Sequence, residues 1–427
     1  MTSLPRSPGP DASPSPTRVH VLGAGPVGLV VTALLQSNDR FAVHLYEKRR
    51  DYSRTRMVQL APFLVADSIA SYCADYIDGE SVEAIFAPEE LAEGLAFRES
   101  IPADLMGLLR GWTRGFCPLN DIERGLSELI NSRRSQPVTR TLAVISADEA
   151  IAMLEPGDVL IDCTGARSVM RDRLGGAADT SDASDASDAS DPVGGVSESN
   201  TFRVRLEYAL VITFLYSRAY DCNEHCKYYK NIENSSYKFI PAVNRTYSDG
   251  RLTHVTGIVN ISAEDYERMP SRCDGEWLRG NFPQVAQSMD RFIEKVKAET
   301  SGEIVGDLEI VRIPLDLYRA RHATSLELER RGGEHRFAAS PVFLVGDSAM
   351  GSPYFQSISL GFECAMVLAG LLAQRGLPQQ EMMERYERFI YQQWLRVYMR
   401  TKMIKHNKDL FQCVGDTFAL LERLHIY

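Results

Sequence analysis

The 427-residue chain, 44% hydrophobic and carrying a net charge of −10, is long enough for about two to three domains and can bury a large core without disulfides or metals. Its acidic balance and lack of a long basic run exclude the phosphate-neutralising surface of a nucleic-acid binder, and no apolar run reaches the roughly 18 to 20 residues of a membrane span, the longest, Leu360 to Ala373, being interrupted by Glu363. Eight scattered cysteines suit a reducing compartment, and the Pro/Ser-rich residues 1–17 have no signal-peptide core, so the chain is expected in the cytoplasm.

The first predicted element is the apolar, β-branched run Val19 to Leu22, which ends in Gly23-Ala24-Gly25-Pro26-Val27-Gly28 and opens the helical stretch Leu29 to Leu35. A second strand, Phe41 to Tyr46, delivers Glu47. Strand, glycine loop, helix, strand and acid in this order make a dinucleotide-binding fingerprint. Gly23 permits a tight turn, Gly25 lets backbone approach a pyrophosphate, and Gly28 lets helix and strand pack closely. The helix start presents free N–H groups and a positive dipole end, and Pro26 fits its first turn because a proline N–H is not missed there. Glu47 is placed to accept hydrogen bonds from a ribose diol and disfavours a 2′-phosphate. The cationic stretch Lys48-Arg49-Arg50 through Arg54 and Arg56 reads from composition either as a solvated loop or as a phosphate contact.

Pro62 to Ala70 is expected to start a helix, Pro88 to Phe97 to carry another, and Pro118 to Asn131 to form one whose buried face is Ile122, Leu126, Leu129 and Ile130. After a strand at Val138 to Ile145, the continuous apolar run Asp158 to Cys163 reads as a buried parallel strand running into Thr164-Gly165-Ala166-Arg167-Ser168 and a helix start at Val169 to Leu174. The Asp-Ala-Ser repeats of 176–199 lack the apolar surface needed to offset ordering entropy. Strands at Phe202 to Ser217, Tyr237 to Val243, Leu252 to Ile261 and Ile304 to Leu317, with a helix at Gln284 to Lys297, read as a half-exposed antiparallel sheet. Cys222, His225 and Cys226 lack a second ligand pair, so no metal site is expected. A strand at Pro341 to Val345 ends in Gly346-Asp347 before the apolar helix Leu360 to Leu372. From Gln379 the chain is helical, with an aromatic stripe at Tyr386, Phe389, Trp394 and Tyr398 that packs on the body of the protein or on a second copy in a homodimer.

Three motifs in one order, GAGPVG, CTGAR and LVGDSAMGSP, resemble the single-component FAD-dependent monooxygenases of the aromatic-hydroxylase type. The stretch Ser53 to Phe63 and the later Tyr228-Tyr229-Lys230 also look like the monooxygenase domain of MICAL proteins. The resemblance implies an α/β fold: a Rossmann-like FAD-binding domain built from 18–60, 105–175 and 335–375. It is interleaved with an antiparallel-sheet substrate domain from 61–104 and 200–334, followed by C-terminal helices at 376–427. It also implies that Glu47 takes the adenosine ribose, Asp347 the ribityl hydroxyls, and that Arg49, Arg54, Arg56, Gly165, Gly346 and a tyrosine at Tyr228 or Tyr229 meet FAD. Where the family has an Asp in the central motif, this chain has Thr164 or Cys163. Where it has a glycine-rich loop after the proline, this chain has Tyr354 to Ser359.

The implied activity uses NAD(P)H as a transient co-substrate and O2 to hydroxylate or epoxidise an electron-rich, aromatic small molecule through a C4a-hydroperoxyflavin. Pro353, Tyr354 and Gln356 would line the reaction cavity. A flavin reductase, oxidase or halogenase shares the same cofactor motifs, as does a degenerate nucleotide-binding relative.

Overall fold

The computed structural model describes residues 15–54, 57–68, 71, 97–174, 200–218, 240–246, 252–329, 335–352 and 357–399. In chain order these begin with β1 (Thr17–Leu22), α1 (Pro26–Gln36), β2 (Phe41–Glu47), β3 (Met57–Gln59), α2 (Ala103–Trp112), β4 (Phe116–Pro118), α3 (Leu119–Ser132), β5 (Thr139–Leu142), α4 (Ala147–Met153) and β6 (Val159–Asp162). After the helical turn Arg171–Leu174 come β7 (Thr201–Tyr216), β8 (Ile240–Thr246), β9 (Thr253–Ile261), β10 (Arg272–Cys273) and α5 (Pro283–Thr300). The chain continues through β11 (Ile304–Ala320), β12 (Thr324–Glu329), β13 (His335–Leu344), β14 (Met350–Gly351) and α6 (Ser357–Ala373), and a last helix, α7, covers 379–399.

The protein is α/β. Its first sheet has the order β12-β13-β6-β1-β2-β5, with β1 parallel to both β2 and β6 and β13 parallel to β6. The chain leaves β1 toward β2 on one side and later returns to β6 on the other, so the order reverses at β1. A crevice opens at the carboxyl ends of strands at such a switch point. The apolar runs predicted to be buried on both faces are buried: all of β6 and Val342 to Val345 at the end of β13 are covered, as a parallel sheet between helical layers requires. β5, at the edge, is exposed throughout.

The second sheet, β10-β11-β7-β9-β8 with β14 added on β11, is antiparallel. Alternate residues of β7, Leu210, Ile212, Phe214 and Tyr216, join Phe292, Ile293 and Val296 of α5 in a separate apolar core. Gly257 in β9 is needed there, since a Cβ would lie 2.9 Å from the Phe292 ring. A register shift between Leu315 and Asp316 turns the far ends of β7 and β11 over, so that Leu206 and Leu317 bury in the first core instead.

Several elements differ from the sequence reading. The helix expected from Pro62 is one 3-10 turn, Pro62–Val65, after which Ala66 is extended. The helix expected from Val169 starts only at Arg171, because the residues before it are held in a turn described below. The strand β12, which lies within the 200–334 segment expected to form the substrate domain, pairs antiparallel with β13 in the first sheet. Phe63, Leu64, Phe97 and Ile101 likewise bury in the first core, where Phe97 lies across α6 at Gly370. The helices α2 and α4, Ala263–Arg268 and Gly275–Asn281 were not foreseen. The aromatic stripe of α7 packs inward: Tyr386, Phe389, Trp394 and Val397 are buried in the first core, and the Tyr386 hydroxyl donates to Leu344 O at 2.8 Å. No helix among the described residues is long and apolar enough to cross a membrane, and no group of three or more metal-binding side chains occurs among them.

Candidate functional site

The crevice begins with the turn after β1. Gly23 sits at φ +91°, and a Cβ on it would lie 2.8 Å from Cys163 O. Its N–H donates to Tyr46 O at 2.8 Å, so the turn is sewn to β2. Gly28 is tighter still, since a Cβ there would meet Gly23 O at 1.9 Å. Gly25 meets only Arg54 Nη2, at 3.5 Å. Gly25 is the extended residue capping α1, with Pro26 following, no side-chain cap and no acidic residue in the first turn. Among the described residues no side chain therefore satisfies the N-terminal N–H groups and positive dipole end of α1, which is the arrangement that accepts an anion.

Glu47 closes one side. Its Oε2 accepts from Ala24 N–H at 2.8 Å and its Oε1 from Arg49 N–H at 2.9 Å, with Arg49 Nε at 3.2 Å. Burial alone would raise its pKa, but the Arg49 side-chain and backbone bonds, the Arg49 charge and the Ala24 N–H together hold it below the ordinary 4.5. A carboxylate with a depressed folded pKa contributes stability that is complete above its unfolded pKa and is lost as pH falls through the folded one. The wild-type protein should therefore lose stability relative to Glu47→Gln as pH is lowered from about 5 toward 3. Parallel slopes of the two proteins in thermal melts over that range would show that Glu47 is not held in this way.

The far side is built by β6 and β13. Asp162, fully buried at the end of β6, accepts from Thr164 N–H at 2.8 Å and Thr164 Oγ1 at 2.6 Å, and from Ser168 Oγ at 2.5 Å and Met170 N–H at 3.1 Å. It thus shapes the whole glycine turn, with Gly165 at φ +89° and its N–H donating to Ser348 Oγ at 3.0 Å. Arg171 ties this turn to the next one: Nε donates to Ser348 O at 2.8 Å and Nη2 to Asp347 O at 2.6 Å. Tyr318, from the second sheet, also donates to Asp347 O, at 2.9 Å, and Arg171 lies over its ring at 4.9 Å. Gly346, at φ +66°, and Gly361 of α6 both abut Val27, which brings the β13 turn against the start of α1.

These elements enclose a cleft of about 470 Å3, within the ordinary size of a ligand site. Gly23, Gly25, Pro26, Val27, Glu47, Lys48, Arg49, Arg54, Gly165 and Asp347 line it together. Ala24, Gly28 and Gly346 sit behind that lining as hydrogen-bond donor or close-contact positions. Arg56, Tyr228, Tyr229, Pro353, Tyr354 and Gln356 lie outside the described residues, as do Cys222, His225 and Cys226. The sequence reading missed Asp162 and Arg171 in their structural roles, together with Glu123, a fully buried carboxylate of α3 paired with Arg54. A charged residue closing an otherwise apolar strand was the available signal for Asp162. Cys163, in the cleft wall, is buried, and that burial pushes its thiol pKa well above the ordinary value.

No family model and no curated protein matches this chain. Solved structures with a similar chain course include the tetracycline destructase Tet(51), at 12% identity over 96% of this chain and 97% of that one, TM-score 0.46. The aromatic hydroxylase CabE from angucycline biosynthesis is similar at 14% identity over 94% and 73%, TM-score 0.43. The flavin-dependent halogenase CmlS is similar at 13% over 88% and 62%, TM-score 0.43. At these identities and TM-scores, none of the three assigns a reaction to this chain.

Proposed function

We propose that the chain is an FAD-dependent monooxygenase that uses NAD(P)H and O2 to hydroxylate or epoxidise an electron-rich, aromatic small molecule. The observation that carries the reading is that Glu47 and Asp347, three hundred positions apart in sequence, line one cleft with the GAGPVG loop. A nicotinamide dinucleotide needs the loop and the first acid; a second carboxylate at the β13 turn suits the ribityl chain that only a flavin dinucleotide adds. The residues present fit FAD: the uncapped start of α1 with Arg49 and Arg54 for the pyrophosphate, Glu47 for the ribose, and Asp347 for the ribityl hydroxyls. Bound flavin supplies the redox chemistry, taking reducing equivalents and activating O2. The chain's part would be to fix the dinucleotide by these contacts, to hold the Asp347 turn through Arg171 and Tyr318, and to keep water from the reaction cavity.

We assign the FAD-binding part to the first sheet and the substrate-facing part to the second. The likeness to MICAL monooxygenase domains rests, among the described residues, on the segment holding Arg54. Pro353, Tyr354 and Gln356 stand as the proposed cavity residues. In a panel of phenolic and indolic compounds, NAD(P)H oxidation should run faster with a true substrate than without, and oxygen from 18O2 should appear in the product. Equal oxidation without any substrate, with hydrogen peroxide as the product, would place the chain among oxidases. Undiminished NAD(P)H oxidation without air, with the added compound itself recovered in reduced form, would make it a reductase.

A further inference from the structure

Two of the cleft's cations, Arg49 and Arg54, are already paired. Arg54 Nη2, the nitrogen nearest Gly25, pairs with Glu123 Oε1, and Arg49 Nη2 lies 3.7 Å from the same oxygen while its Nε reaches Glu47. The four groups alternate in sign, Glu47, Arg49, Glu123, Arg54, from the proposed ribose site to the proposed phosphate site. Glu123 is fully buried on α3 beneath them, whereas the Arg54 side chain is 44% exposed. Glu123 Oε2 is buried with no hydrogen-bond partner among the described residues. A buried carboxylate with one bare oxygen is an expensive arrangement, and cutting its ion pair would leave an uncompensated charge, so Glu123 holds Arg54 strongly. A guanidinium has five N–H donors in a rigid fork, so Arg54 can remain on Glu123 and still present further donors to the loop at Gly25.

Resting on the FAD reading, we propose that Glu123 is a positioning residue. It does not touch the dinucleotide but fixes the Arg54 guanidinium at the edge of Gly25, where a pyrophosphate meets the start of α1. A long arginine on a loop otherwise loses rotamer freedom on binding each phosphate, and Glu123 removes that loss in advance. An unrelated explanation is that Glu123 merely neutralises charge inside the first core. The two differ in dependence on Arg54.

Glu123→Gln keeps the shape of the side chain but removes the charge that pairs with Arg54. The apoprotein of this variant should bind FAD, and ADP as a minimal pyrophosphate probe, about tenfold more weakly than wild type, with its melting temperature held or raised. In an Arg54→Met background the same substitution should leave both affinities unchanged, because its effect runs through Arg54. Equal weakening with or without Arg54, unchanged binding, or tighter binding would overturn the proposal. If Arg54→Met alone does not fold, a crystal structure of Glu123→Gln decides: Arg54 should leave Gly25, and finding it still there overturns the proposal. Wild type that binds ADP but not FAD would sink the flavin reading and leave the Glu123 test intact through ADP. Wild type that binds neither would sink both.

Discussion

Replacing Asp347 by alanine is expected to weaken FAD binding by about ten- to a hundredfold, the loss of one charge-assisted hydrogen bond of roughly 1.5 to 3 kcal/mol, while the apoprotein keeps its fold. Two bonds that hold this turn do not depend on the side chain. The backbone oxygen of Asp347 is what Arg171 and Tyr318 hold, and it is unchanged in Asp347→Ala. The side chain lines the cleft. A helix-capping role would instead make the substitution a stability defect of about 1 kcal/mol with no loss of specific affinity. Equilibrium FAD titration of the apoprotein beside thermal unfolding without FAD tests this. Unchanged affinity with a lowered melting temperature would move Asp347 from the ligand to the scaffold.

Gly28→Ala should produce the largest loss of stability among the loop substitutions, about 3 kcal/mol or more, because the new methyl group would lie 1.9 Å from Gly23 O and 3.2 Å from Cys163 Cβ. Overpacking of this kind costs roughly 1 to 3 kcal/mol when side chains can move, and here the obstacle is backbone on a buried turn. Gly25→Ala makes the contrast: its methyl would meet only the tip of Arg54 at 3.5 Å, so apoprotein stability should stay within about 0.5 kcal/mol while dinucleotide affinity falls. Urea unfolding of the two apoproteins reads both effects. A Gly28→Ala variant as stable as wild type would mean that the approach of α1 to β1 is not as close as the structure has it.

Much of the fold was legible because its signals are local and redundant. β1, the glycine loop, α1 and β2 follow from apolar periodicity and from glycines required by the left-handed turn at Gly23 and the close approach at Gly28, and β6 from a run too apolar for any exposed face. The long-range joins were not. Nothing in Thr324 to Glu329 says that it pairs with β13 rather than with the second sheet, since its neighbour along the chain is β11 and its partner is fixed by tertiary packing. Of the candidate cleft, the sequence singles out residues at strand ends and turns, Gly23, Glu47 and Asp347, which line it together. The cleft was not legible where a side chain acts on another side chain. Glu123 reads in sequence as one more polar position on an amphipathic helix, and only the approach of the Arg54 loop makes it part of the cleft. Asp162 is an instructive middle case: the missing acid of the CTGAR turn was sought within the motif, whereas the turn is gripped by the carboxylate just before it.

The most direct measurement is the cofactor itself. Apoprotein incubated with an equal mixture of FAD, FMN and NAD, then freed of unbound nucleotide, should show flavin absorption and release FAD alone, close to one per chain. Recovery of FMN or NAD in its place, or of no nucleotide from a folded protein, would contradict the assignment of this cleft to FAD.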